Sequence, residues 1–72
     1  IIKLNNMYTE NNVIKTMIAM EKVFQSCAED AEKFVEGNNS AGTRVRKAMQ
    51  QIKNMAQDVR VEVQRQKNTV TA

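Results

Sequence analysis

The sequence predicts an all-α protein, an antiparallel hairpin of two long helices that pairs with a second copy into a four-helix bundle. Three observations carry this. Two runs of apolar residues have helical spacing, a single short turn signal at residues 36–40 divides them, and the residues that sheets need are scarce. There is no Pro or Trp, Gly occurs only as Gly37 and Gly42, and aromatics are 4% of the chain (Tyr8, Phe24 and Phe34). A sandwich or barrel would lack both turn-formers and bulky core residues. The 72 residues make one small domain, and at that size folding hides only about 60% of the surface an unfolded chain exposes. Help from a second copy is therefore expected.

In the first run Val13, Met17, Met20, Phe24, Cys27, Ala31 and Phe34 recur at gaps alternating between four and three, a heptad seam. Ile14, Ala28 and Val35 lie one residue beyond seam positions and Ile18 and Val23 lie beside it, so the stripe is wider than one partner helix covers. The spacing predicts a helix over about residues 8–36, capped by Thr9, Asn11 or Asn12, with Tyr8 near its first turn. Residues 1–7 are expected outside the fold, as disordered or upstream sequence, with Met7 the expected native start.

The stretch Glu36-Gly37-Asn38-Asn39-Ser40 places a glycine, suited to a left-handed position past a helix end, before three good N-cap residues. Beyond it Ala41, Val45, Ala48, Met49, Ile52, Met55, Ala56, Val59 and Val63 form a second stripe of helical period. Gly42 falls in the first turn, where its helix penalty is least. Val59, Val61 and Val63 alternate as a strand would, but the Gln, Lys, Met and Arg around them favour helix. This helix is expected over about residues 40–67, with residues 68–72 frayed. Phe24, Ile52 and the four methionines Met17, Met20, Met49 and Met55 are expected to pack the core, with Cys27 as a small buried hydrophobe.

The absence of His, with a single Cys, removes the usual zinc and iron ligand sets, the His-paired nucleophiles and any intramolecular disulfide. The carboxylates Glu29, Asp30, Glu32 and Glu36 are evenly solvated and nominate no acid–base pair. No enzyme, cofactor, metal site or small-molecule substrate is expected. The longest apolar runs, such as Met17-Ile18-Ala19-Met20, are far short of the ~20 residues of a membrane helix. With no leader pattern and one unpaired Cys, a reducing compartment, the cytoplasm, is the expected location.

The formal charge of +3 is unevenly spread: four cations oppose six acids through Glu36, whereas seven cations oppose only Asp58 and Glu62 from Gly37 on. Only the second helix suits a polyanion. On it Arg46, Gln50, Lys53, Gln57, Arg60, Gln64 and Lys67 share the alternating four–three spacing, so they form one stripe that no acid interrupts. Its cations recur every seven residues, roughly 10.5 Å at ~1.5 Å per residue. Asp58 and Glu62 project to another side, near Arg44, Lys47 and Arg65. Cations separated by Gln could track a nucleic-acid backbone, though no aromatic is there to stack on bases. The same row would equally serve as a solvated helix face, or as a flank paired with Glu29, Glu32 and Glu36.

From Gly37 the chain reads Gly-Asn, two residues, Ala-Gly-Thr-Arg, one residue, then Arg-Lys at Arg46-Lys47. This stretch, within about residues 32–67, resembles the bacterial linker-histone-like nucleoid proteins first associated with chlamydiae. The resemblance implies a helical, self-associating, nucleoid-associated chromosomal protein. It would bind DNA without sequence specificity, with Arg44, Arg46, Lys47, Lys53, Arg60, Arg65 and Lys67 as the contact candidates. The chlamydial members carry a long Lys- and Ala-rich tail that supplies most of their DNA affinity, so this helical module by itself is expected to bind weakly. Nothing assigns a recognition helix or a base-reading set. Two other classes share the same heptads: a structural or adaptor hairpin without nucleic acid, such as a component of a phage particle, and a hairpin dimer that binds structured RNA.

Overall fold

The computed structural model describes residues 10–70, the side chains of Thr69 and Val70 excepted. The expectations for residues 1–7, Tyr8 and Thr9 lie outside the described residues. Within them the chain is two helices and no strand, α1 (Asn12–Val35) and α2 (Asn39–Val70). Asn11 is extended (φ −75°, ψ 131°), and its side-chain oxygen accepts the Val13 N–H at 2.8 Å. That cap starts α1 at Asn12, later than residue 8, and selects Asn11 from the three candidates.

The turn forms as its residues dictate. The Gly37 N–H donates to the Phe34 carbonyl and the Asn38 N–H to the Lys33 carbonyl, each at 2.9 Å, with Gly37 at φ +109°. These are the two bonds of a Schellman termination. Asn38 then caps α2, its side-chain oxygen accepting the Ala41 N–H at 3.0 Å. A Cβ added at Gly37 would meet nothing within 4 Å, so the glycine serves backbone conformation alone. Gly37→Val should lower stability by about 1–2 kcal/mol through left-handed strain. A thermal melt checks this, and an unchanged midpoint would show that the turn relaxes without cost.

At its far end α2 departs from the reading. The backbone stays helical through Val70 instead of fraying from residue 68. Neither Gly nor Pro interrupts it after Gly42, and the Gln64 amide donates to the Asn68 side chain one turn on, at 3.2 Å.

The helix–helix contact divides the predicted seam of α1. The residues of α1 shielded from solvent include Val13, Thr16, Met20, Val23, Cys27 and Asp30. Met17, Phe24 and Ala31 turn outward, and Phe24 is 60% exposed. The expectation that Phe24 and Met17 lie in the hairpin core is therefore corrected: one partner helix covers half of the wide stripe, and the other half faces water. On α2 the shielded row is Ala41, Val45, Ala48, Ile52, Met55 and Val59, much as read, while Met49 and Val63 are exposed. Met20 and Met55 are the two seam methionines that are half-buried, and among the described residues only Cys27 and Ala41 are fully buried.

Gly42 has a role the sequence reading missed. A Cβ there would come within 2.5 Å of the Phe34 ring, so the glycine is the floor on which that ring rests. Cα extents of 53 × 23 × 13 Å describe a slab one helix thick. Among the described residues nothing covers either broad face, whereas small domains ordinarily pack two layers around a core.

Candidate nucleic-acid interface

The stripe on α2 is set by helix geometry. All seven of its members, Arg46, Gln50, Lys53, Gln57, Arg60, Gln64 and Lys67, are exposed. Because the seam residues Val45, Ile52 and Val59 each precede a row cation by one, the row lies about 100° around the helix from the contact with α1. Arg46 shares a depression with Phe34, Gly42 and Val45, which places the row on the same broad face as the Phe34 ring. Shallow hollows accompany it, one between Thr43, Arg46, Lys47 and Gln50 and another between Lys53, Gln57 and Arg60.

The remaining candidates fall elsewhere. Arg44 reaches α1 on the opposite face, its Nε donating to Asp30 at 2.9 Å. Arg65 is paired with Glu62 on its own helix, Nε to carboxylate oxygen at 3.0 Å. Lys47 is exposed beside the row, where it shares a hollow with Arg46 and Gln50. Among the described residues no acid, Glu29, Glu32 and Glu36 included, pairs with Arg46, Lys53 or Arg60. The α1 acid that forms an ion pair across the helices is Asp30, with Arg44, so α1 leaves Arg46, Lys53 and Arg60 unneutralised among the described residues.

A polar cluster at the open end of the hairpin was not legible beforehand. Asn11 and Gln66 exchange amide hydrogen bonds, Asn11 donating at 3.0 Å and Gln66 donating back at 3.3 Å. Asn12 and Gln66 also donate to a Glu62 carboxylate oxygen, at 3.3 Å and 3.2 Å. The available signal was that the α2 seam through Met55 and Val59 arrives next at Glu62 and Gln66, polar residues at positions facing α1. The Arg65 hydrogen bond first, then Gln66 and Asn12, hold the Glu62 carboxyl down from the ordinary 4.5 to about 2 against partial desolvation. Since its folded value lies below the unfolded one, its contribution to stability is complete above about pH 4.5 and is lost as pH falls toward 2. Unfolding midpoints should decline over that window, and Glu62→Gln should flatten the decline. Identical acid profiles for the two proteins would dismiss the cluster.

A family model described as histone H1-like protein Hc1 matches residues 14–69, which takes in nearly all of both helices and the whole cation row. No curated protein and no solved structure matches the chain. Among the described residues no helix is long and apolar enough to cross a membrane.

Proposed function

The chain belongs to the histone H1-like protein Hc1 family, and from that premise we propose that it is a non-sequence-specific DNA-binding architectural protein of the nucleoid, acting in the cytoplasm as a homodimer. The basic face of α2 is the contact surface. The observation that carries this is the row Arg46, Lys53, Arg60 and Lys67, exposed on one face and interrupted by no acid. Lys47, beside Arg46, and Arg44 and Arg65, each already paired with an acid, act as secondary contacts. Each interval between row cations spans about three phosphates of one strand at ~3.4 Å each. The grip is intermittent and reads no base, as expected of an electrostatic contact whose strength comes from counterion release. Two hairpins give two rows, and a four-helix bundle supplies the second layer that the slab lacks.

A gel-shift titration with duplex DNA at several salt concentrations tests this. Affinity at physiological salt should fall at roughly 10⁻⁴ to 10⁻⁶ M for any sequence, with a log–log salt slope near −0.9 per phosphate neutralised. Lys53→Gln should weaken binding to all sequences alike and reduce the slope by about one. Lys15→Gln, on the acidic helix, should do little. Absence of a shift even near ~20 mM salt, or equal losses for the two variants, would leave the structural-module alternative standing.

A further inference from the structure

The half of the α1 stripe that α2 leaves uncovered is a single row, Met17, Phe24 and Ala31, flanked by Ala28 and Val35. Met17 is 46%, Phe24 60% and Val35 83% exposed. Phe24 lies at the midpoint of α1 (Asn12–Val35), and the row is self-complementary about it. In an antiparallel α1–α1 contact centred on Phe24, Met17 falls opposite the partner's Ala31 and Phe24 opposite the partner's Phe24, with the exposed Ala28 and Val35 at the margins. The large Met17 side chain thus meets the small Ala31. A hairpin one helix thick, with only Cys27 and Ala41 buried among its described residues, lacks the second layer that a covered face would give it. These observations select a second copy of this chain as the occupant of the row.

The position of α2 adds a consequence. Met17, Phe24 and Ala31 each follow a member of the Thr16, Val23 and Asp30 row by one residue, about 100° around α1 and away from the Asp30–Arg44 pair, which puts them on the broad face where Phe34 and Arg46 line a depression. A twofold axis through Phe24, perpendicular to the helices and lying in the interface, stacks α1 on α1 and brings both α2 helices to the same side. The two cation rows then run antiparallel beside each other, with Lys53 of each chain nearest the axis. Like charges set so close repel, and salt or a polyanion between them removes the repulsion.

We propose that the Met17–Phe24–Ala31 row is an isologous self-association surface, and that the pairing it makes is opposed by its own cation rows until salt or a polyanion fills the groove between them. The proposal rests on the DNA reading only for the identity of the polyanion. It predicts a dimer that tightens with salt, the opposite of an interface held by ion pairs.

The test is cross-linking and sedimentation of the full chain. In a Cys27→Ala parent, Phe24→Cys should cross-link to itself. Met17→Cys and Val35→Cys should not cross-link to themselves, but Met17→Cys mixed with Ala31→Cys should. With Cys27 intact, Phe24→Lys should abolish the dimer with helicity retained. The wild-type dimerisation constant should rise at least about fivefold between ~50 and ~500 mM salt, and Lys53→Glu should remove most of that rise. Self-cross-linking of Met17→Cys as efficient as that of Phe24→Cys would overturn the antiparallel register. A monomer at every salt concentration, or one that binds anionic lipid vesicles through Phe24 and never itself, would overturn the surface. DNA shifts run on the same samples separate the two ideas. Binding without the Phe24 cross-link sinks the interface alone, and the cross-link without binding sinks the DNA reading alone.

Discussion

Ile52→Ala should lower the unfolding free energy by about 2–5 kcal/mol, enough to leave so small an assembly largely unfolded. Ile52 sits in the middle of the α2 row that faces α1, one turn from Ala48 and Met55, and is half-buried there. Truncation leaves a void between two helices that share almost no other large buried side chain: among the described residues no residue of any size beyond Cys27 and Ala41 is fully buried. Phe24→Ala should behave differently although both positions carry large apolar residues. Most of the Phe24 side chain is in water within one hairpin, so its loss should be small at low protein concentration and should grow as the concentration enters the range where hairpins pair. Urea melts at two well-separated concentrations measure both. A near-neutral Ile52→Ala would mean that the contact between helices lies on another face.

That contrast shows what the sequence could and could not reveal. Periodicity locates an apolar stripe, but it does not say which side of the stripe the nearest helix takes. Val13, Met20, Cys27 and Phe34 share the predicted seam with Met17, Phe24 and Ala31, and only the packing of α2 tells the two rows apart. The turn was legible because its determinants are local: Gly37 adopts positive φ and Asn38 caps within a few residues of the signals that announce them. The role of Gly42 was not, because the need for it comes from Phe34, eight residues away and across the turn. The same division applies to the candidate interface. Spacing alone places Arg46, Lys53, Arg60 and Lys67 in one row. That Arg44 is paired with Asp30, while Glu29, Glu32 and Glu36 leave Arg46, Lys53 and Arg60 alone, depends on the rotation of α1 about its axis. The exchange of amide bonds between Asn11 and Gln66 was hidden for a further reason, since polar residues at seam positions carry no hydrophobic signal.

Ala41→Leu should cost about 1–3 kcal/mol and should loosen the closed end of the hairpin. Ala41 has no exposed surface, and its N–H is the one held by the Asn38 cap. Next to it the Phe34 ring rests on Gly42. The first turn of α2 thus meets α1 with its two smallest side chains, and the added carbons of leucine have no empty volume to enter. They can be accommodated only if the helices part at the tip, which draws Ala41 away from Asn38 and lifts Phe34 off Gly42. Thr43→Leu is the matched control, since Thr43 is exposed two residues further on, and it should change stability by no more than about 0.5 kcal/mol. Denaturant unfolding of the two variants, with amide exchange at Ala41 as the local readout, distinguishes a tight tip from a loose one. If Ala41→Leu unfolds with the wild-type midpoint and leaves the Ala41 amide protected, the helices have room to spare at the turn, and the small residues there are not what lets them approach.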